Sequence, residues 1–326
     1  MTWLALAACV ALMLFGATSL LASLLVWPAL GRHLAGAEPR GETLLALRFA
    51  PTLAAAFVSG AIFLPVFLRL EPRQSGERVG VVMLAVAASV AAMLLAGPLR
   101  ALRSIVATHS LERRWRAGPA PVALPGWRLP AFAIDERFPL IAVVGVLRPR
   151  LYIARQVLAR CTRDEIAAIV AHEAGHVARR DNFARLLLRS CPDPLAFTPM
   201  GDAVERAWSE ACDRAADDHA AARTGSRLDL AAALVTVARA LGAPAPAGRA
   251  LAAHCQEGEI TSRVRRLLRP GPGRDGRGAA PRRVARLVMP ALVLTPACAA
   301  IAAATLSPTV AGRIQALAES AVRLLQ

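Results

Sequence analysis

The stretch Ile166-Ala-Ala-Ile-Val-Ala-His-Glu-Ala-Gly-His-Val-Ala-Arg-Arg-Asp181 decides how this chain is read. His172-Glu173-Ala174-Gly175-His176 within it is an HExxH motif, set in an apolar, alanine-rich run that reads as helix. Histidines four apart lie on one helical face, so both imidazoles can reach a single metal ion. Zinc is the expected ion, because neutral imidazole suits it and two histidines plus a carboxylate form a known catalytic set. The remaining position is then left for water, whose pKa zinc lowers, and Glu173 stands beside the first ligand as general base. The chemistry implied is hydrolysis, most often of a peptide bond. With 6 His in the chain, a chance HExxH is expected on the order of 0.01 times. Ile166, Ile169, Val170 and Val177 make the helix largely buried, where a His-Glu-His cluster without a metal would be costly.

A third ligand must come from elsewhere. Trp208-Ser-Glu-Ala-Cys-Asp-Arg-Ala-Ala-Asp-Asp218 is the only later segment with clustered carboxylates. Glu210, Asp213 and Asp217 fall at i, i+3 and i+7, on one helical face. Either Glu210 or Asp213 completes the zinc set, and Asp217 and Asp181 are the carboxylates expected to brace the ligand histidines. His219, on the same helix, reads as a surface histidine.

The rest of the chain suits a membrane. It has 326 residues, 56% hydrophobic, with mean hydropathy +0.45, too apolar for an ordinary soluble protein. The net charge of +16 is carried entirely by arginine, since the sequence holds no lysine. These arginines flank apolar spans and are not interleaved with aromatics, which argues for membrane orientation and against direct nucleic-acid binding. Six scattered cysteines (9, 161, 191, 212, 255 and 298) contain no CxxC pair and imply no disulfide framework.

Thr2 to Leu30 is uncharged and long enough to cross a bilayer. It has no positive leader ahead of it, which argues against a cleaved signal peptide. Further spans are expected at about Phe49 to Leu68, Val79 to Leu99 and Leu287 to Leu306, four in all. Arg100, Arg103, Arg113, Arg114 and Arg116 follow the third span, and Arg282, Arg283 and Arg286 precede the fourth. The positive-inside rule therefore puts residues 100–286 in the cytoplasm, with both termini outside. The expected fold is mainly α: four transmembrane helices with a cytoplasmic zincin-like α+β metalloprotease domain between spans three and four. Its core runs from about 128 to 270, its linker covers 269–283, and residues 307–326 form a short extracytoplasmic tail. Leu140–Leu147 and Arg150–Ile153 are β-like runs, and the strand near Tyr152 is a candidate edge for pairing with a substrate peptide. Thr162-Arg-Asp-Glu165 is a capping box that opens the motif helix. That helix is expected to continue past Asp181 to about Arg189.

The residues now form a pattern. His-Glu-Ala-Gly-His before Arg180-Asp181, the preceding Gly145–Ile153 run, the later acidic helix and Arg263-Val-Arg-Arg-Leu-Leu268 together resemble the BlaR/MecR-type membrane metallopeptidases. They resemble the HtpX and CAAX-prenyl-type membrane proteases more distantly. The resemblance covers about 140–270 and implies His172 and His176 as zinc ligands and Glu173 as base. That family places a Glu ligand four residues before an Asp, whereas here Asp213 and Asp217 hold that spacing. Only residues 307–326 follow the fourth span, so the penicillin-binding sensor domain of well-known members is not expected.

These readings converge on an integral protein of the bacterial inner (plasma) membrane. It is expected to be a zinc endopeptidase cutting a cytoplasmic protein, for which the resemblance suggests a BlaI-type repressor in a signalling pathway. Two other readings stand beside it: a quality-control protease of the HtpX kind, and a catalytically silent membrane regulator that acts by binding a partner.

Overall fold

The computed structural model describes residues 3–36, 38–70, 80–115, 120–136, 141–241 and 260–269, with positions 312, 316 and 320. The expected fourth span lies outside the described residues, as do the linker beyond Arg269 and all of the tail except those three positions. What is described is mainly helical with one small sheet. It groups into two compact units: residues up to 102 together with 187–208, and residues 103–186 together with 209–241 and 260–269.

The first unit contains α1 (Trp3–Leu34), α2 (Gly41–Ala56), α3 (Leu64–Leu70) and the first part of α4 (Val81–Trp115). Between α2 and α3 the helix runs on through π-helical turns at Phe57–Phe63. There the Ser59 hydroxyl donates to the Ala55 carbonyl at 2.6 Å, a side-chain intrusion into the ladder of the kind that accompanies such bulges. Among the described residues three helices are long and apolar enough to cross a membrane: Trp3–Leu34, Gly41–Arg69 and Val81–Trp115. Leu6, Phe63, Phe67, Met83 and Ala87 pack inward, while Leu21, Leu25, Val81 and Leu95 point outward, as lipid-facing residues do. The third helix extends well past its apolar run and carries Arg100, Arg103, Arg113 and Arg114 on continuous helix.

Residues 187–208 also belong to this first unit. Arg48 and Asp193 form an ion pair that is buried on both sides. Asp193 also accepts from the Ala196 N–H at 3.2 Å, starting the short 3-10 turn Pro194–Phe197. Arg100 donates to the Cys191 carbonyl at 3.1 Å and lies over the Phe197 ring. Gly97 lets the two segments meet, because a Cβ there would strike the Ser190 carbonyl.

The second unit holds the sheet: β1 (Ala120–Pro121), β2 (Ala131–Ile134), β3 (Ile141–Val144) and β4 (Arg150–Ala154), in the order β1-β2-β4-β3. β2 and β4 run parallel, and the outer pairs are antiparallel. β4 is central and buried on both faces. On one side Tyr152 meets Trp115 and its hydroxyl donates to Glu112 at 3.0 Å. On the other, Ile153 packs with Val157 of α5 (Arg155–Arg160), Ile169 of α6 (Arg163–Arg179) and Ala233 of α9 (Arg227–Leu241), and Ala154 joins this cluster at the strand end. Tyr152 is thus an interior side chain on a strand paired on both sides, and the edge strands of the described sheet are β1 and β3.

α6 opens on the capping box. The Thr162 hydroxyl accepts from the Glu165 N–H at 3.2 Å, and the Glu165 carboxylate accepts from the Thr162 N–H at 2.8 Å. The helix does not run on past Asp181. Arg180 adopts the left-handed conformation, φ 56 and ψ 40, and α7 (Asp181–Ser190) begins after it. Alanines on α6 (Ala168, Ala171) pack with Ala220 of α8 (Pro199–Thr224), Leu230 and Ala231 of α9, and Leu267 of a further helix, α10 (260–268).

Candidate metal centre

α6 places His172 and His176 one turn apart, with their Nε2 atoms 3.1 Å from each other. Asp213 of α8 completes a triangle, its Oδ1 lying 3.3 Å from His176 Nε2 and 3.8 Å from His172 Nε2. Two donors held about 2.0–2.1 Å from a tetrahedral ion stand about 3.3 Å apart, so this triangle has the size a zinc ion requires. The residues present therefore fit the expected metal. Glu210 is elsewhere: it is exposed and 3.8 Å from Arg214 one turn along its own helix. Of the two carboxylates left open by sequence, the structure brings Asp213 to the histidines.

Each imidazole is held from behind. His172 Nδ1 lies 3.0 Å from Asp217, which has no solvent exposure and receives Arg263 of α10 at 2.6 and 3.1 Å. His176 Nδ1 lies 2.7 Å from Asp181, which Arg179 holds at 2.6 Å. The same Arg179 reaches the Cys212 carbonyl of α8 at 2.8 Å, tying the end of α6 to the helix bearing Asp213. Asp181 is five positions from His176, and on an unbroken helix it would face away from it. The left-handed Arg180 turns the chain so that this carboxylate comes back to the imidazole.

Charges in the cluster reinforce one another. Burial alone would lower the pKa of His176, but hydrogen bonds to Asp181 and Asp213 and the nearby Glu173 raise it to about 9. Burial pushes Asp217 up, yet its bonds to His172 and Arg263 prevail and hold it at about 2. Asp213 is likewise lowered, as contacts with His176 and Arg263 outweigh its burial. Glu173 is half-buried and makes no hydrogen bond or ion pair with another described residue.

Small residues set the closeness of α6 and α8. A Cβ at Gly175 would stand 3.2 Å from the Ala216 Cα and from the His219 Cβ. His219 itself packs against this glycine, and its Nε2 is buried with no partner among the described residues. Beside His176, Asn182 Nδ2 donates to the Val143 and Gly145 carbonyls at 3.0 and 3.1 Å. These bonds cap one end of β3, so a peptide adding to this edge would compete with Asn182. Arg263 and Arg179 were not singled out from sequence as site residues, although the Arg263–Leu268 stretch contributed to the family resemblance; Arg263 is 46 positions from the Asp217 that it holds.

Residues 128–267 match the family model described as BlaR1 peptidase M56. The chain is similar to the BlaR/MecR-type membrane metallopeptidases. The match spans less than half of the chain, but it contains every residue of the His172, His176 and Asp213 cluster and the carboxylates behind it. A BlaR1-type metallopeptidase segment accompanied by three membrane-length helices accords with a membrane metallopeptidase. No curated protein and no solved structure matches the chain.

Proposed function

We propose that this chain is a membrane-embedded, zinc-dependent endopeptidase that hydrolyses a peptide bond of a cytoplasmic protein. The observation that carries this reading is the convergence of His172 Nε2, His176 Nε2 and Asp213 Oδ1 within 4.8 Å of one another. Zinc held there would supply Lewis acidity, polarising a peptide carbonyl and acidifying water beside it. Asp217 and Asp181 keep Nδ1 of each histidine protonated and aimed away, so that Nε2 faces the cation. Glu173, next to His172 and held by no hydrogen bond or ion pair from a described residue, takes the proton of the attacking water and returns it to the leaving amine. The arginines following the third span favour a cytoplasmic site in the inner membrane of a bacterium. A BlaI-type repressor is the substrate suggested by similarity to the BlaR/MecR type.

Elemental analysis of the detergent-purified chain tests this reading. About one zinc per wild-type chain is expected, retained in Glu210→Ala and Glu173→Gln and lost in Asp213→Ala. Hydrolysis should disappear in Glu173→Gln although zinc stays. A wild-type chain that takes up no zinc, even when it is added back, would leave the silent-regulator reading. Cleavage of many unrelated misfolded membrane proteins would favour the quality-control reading over a dedicated substrate.

A further inference from the structure

The two imidazoles of the centre are supported by unequal means. Behind His176, Asp181 and the Arg179 that holds it lie five and three positions away on the same stretch of chain. Behind His172, the support comes from two other helices. Asp217 belongs to α8, and the Arg263 that holds it belongs to α10, 91 positions from the histidine.

The sequence of α10 gives it one face for this task. Arg263, Val264, Arg266 and Leu267 turn inward, while Thr261, Ser262, Arg265 and Leu268 are exposed. Val264 and Leu267 enter the apolar cluster that holds Ala168 and Ala171 of α6, so the helix is seated against the motif helix itself. Arg266 donates to Asp218 at 3.0 Å and to the Arg214 carbonyl at 2.8 Å, fastening α10 along α8. Arg263 reaches deeper, to a carboxylate with no solvent exposure.

At that carboxylate the bond pattern is particular to a guanidinium. Arg263 Nη2 donates to Asp217 Oδ1 at 2.6 Å and its Nε to Oδ2 at 3.1 Å, so one planar fork fixes both oxygens. His172 Nδ1 lies 3.0 Å from the same Oδ1. Arg266 stands farther off, at 3.7 Å from Oδ2. Without the fork, Asp217 loses its nearest counter-charge in a buried place and is free to turn away from the imidazole. A lysine would offer a single point of attachment and a glutamine no charge.

We propose, on the zinc-centre reading above, that Arg263 is a positioning residue of the metal centre. It fixes Asp217 where that carboxylate accepts the Nδ1–H of His172 and leaves Nε2 aimed at the cation, so metal affinity depends on α10 lying in its seat. Arg263 is no ligand, being always charged; it acts through Asp217.

Zinc affinity of the full chain in detergent, measured by competition with a chelator, tests this. Arg263→Gln should lose about 10–100-fold, and Arg263→Lys should recover only part of the loss. Arg265→Gln removes the same charge from the exposed side of α10 and should match the wild type. In the Asp217→Asn background, adding Arg263→Gln should cost less than about threefold more, because neighbours that act as one unit do not add. Cobalt in place of zinc gives a visible absorption that reports ligand geometry, and its bands should shift in Arg263→Gln but not in Arg265→Gln. Linkage is reciprocal, so zinc should slow amide hydrogen exchange across residues 260–268 of the wild type, and slow it less in Arg263→Gln. Circular dichroism of the zinc-free variants checks that they fold; should Arg263→Gln fail, the exchange measurement on the wild type still decides. Equal zinc affinity in wild type and Arg263→Gln, full additivity with Asp217→Asn, or exchange in α10 indifferent to zinc would each overturn the proposal while leaving the centre intact. A wild-type chain that takes up no zinc would overturn the zinc-centre reading, and this role of Arg263 with it.

Discussion

At the scale of single residues, the centre depends on groups that touch no substrate. Asp217→Asn keeps the shape but replaces a carboxylate that receives both His172 and Arg263. Zinc affinity should fall about 10–100-fold, measured by competition with a chelator. Protons report the same linkage. His176, raised to about 9, carries two ring protons at pH 7.5, and one must leave before Nε2 can bind a cation. Zinc uptake at pH 7.5 should therefore release about one proton, seen as a dependence of the calorimetric heat on buffer ionisation enthalpy. The sign for stability follows. A folded pKa above the unfolded value of about 6.5 stabilises the zinc-free chain fully below pH 6.5, and the benefit is lost as pH rises through about 9. Thermal melts of the zinc-free chain should decline across that window, and His176→Gln should flatten the decline. Much of this was legible in sequence, because HExxH needs only helical periodicity to bring two imidazoles together. The choice between Glu210 and Asp213 was not legible: both lie on one face of α8, and choosing requires the rotation and distance of that helix against α6.

Elements set those distances. Gly175 faces Ala216 and His219 with no room for a side chain beyond a slight shift. Aspartate is one methylene shorter than the glutamate expected from the BlaR/MecR pattern, and the close approach of α6 and α8 lets Asp213 reach both histidines. Gly175→Val should force the helices apart and weaken zinc binding by about tenfold or more, with helical content unchanged by circular dichroism. The break at Arg180 had no sequence signal, since glycine is the usual residue at a positive φ and arginine pays a strain there. Arg180→Gly should leave the melting temperature unchanged or slightly higher, although glycine inside a continuous helix would lower stability by about 1 kcal/mol. A clear loss of stability in that variant would show that the Arg180 side chain, and not its backbone, holds the junction. The capping box was legible because Thr162 and Glu165 act within one turn. Asp181 escaped a geometric reading because its role depends on the bend.

At the scale of the whole molecule, apolar length picked out the three described helices long enough to cross a membrane, while the fourth expected span lies outside the described residues; nothing local in the sequence pairs Arg48 with Asp193. The two are 145 positions apart and both are buried. Asp193→Asn leaves the guanidinium buried without its counter-charge and should cost about 3–5 kcal/mol. A lower detergent melting temperature checks this, and joint replacement by Arg48→Met and Asp193→Leu should recover most of the loss. Residues 187–208 lie in sequence between the histidines and the aspartate of the candidate centre yet group with the membrane-length helices. Segment exchange is constrained in consequence. A hybrid that keeps the spans of this chain but takes residues 128–267 from a chain with no acid at the position of Asp193 would bury the Arg48 guanidinium without its counter-charge, so residues 187–208 must travel with Arg48 or Arg48 must be replaced as well.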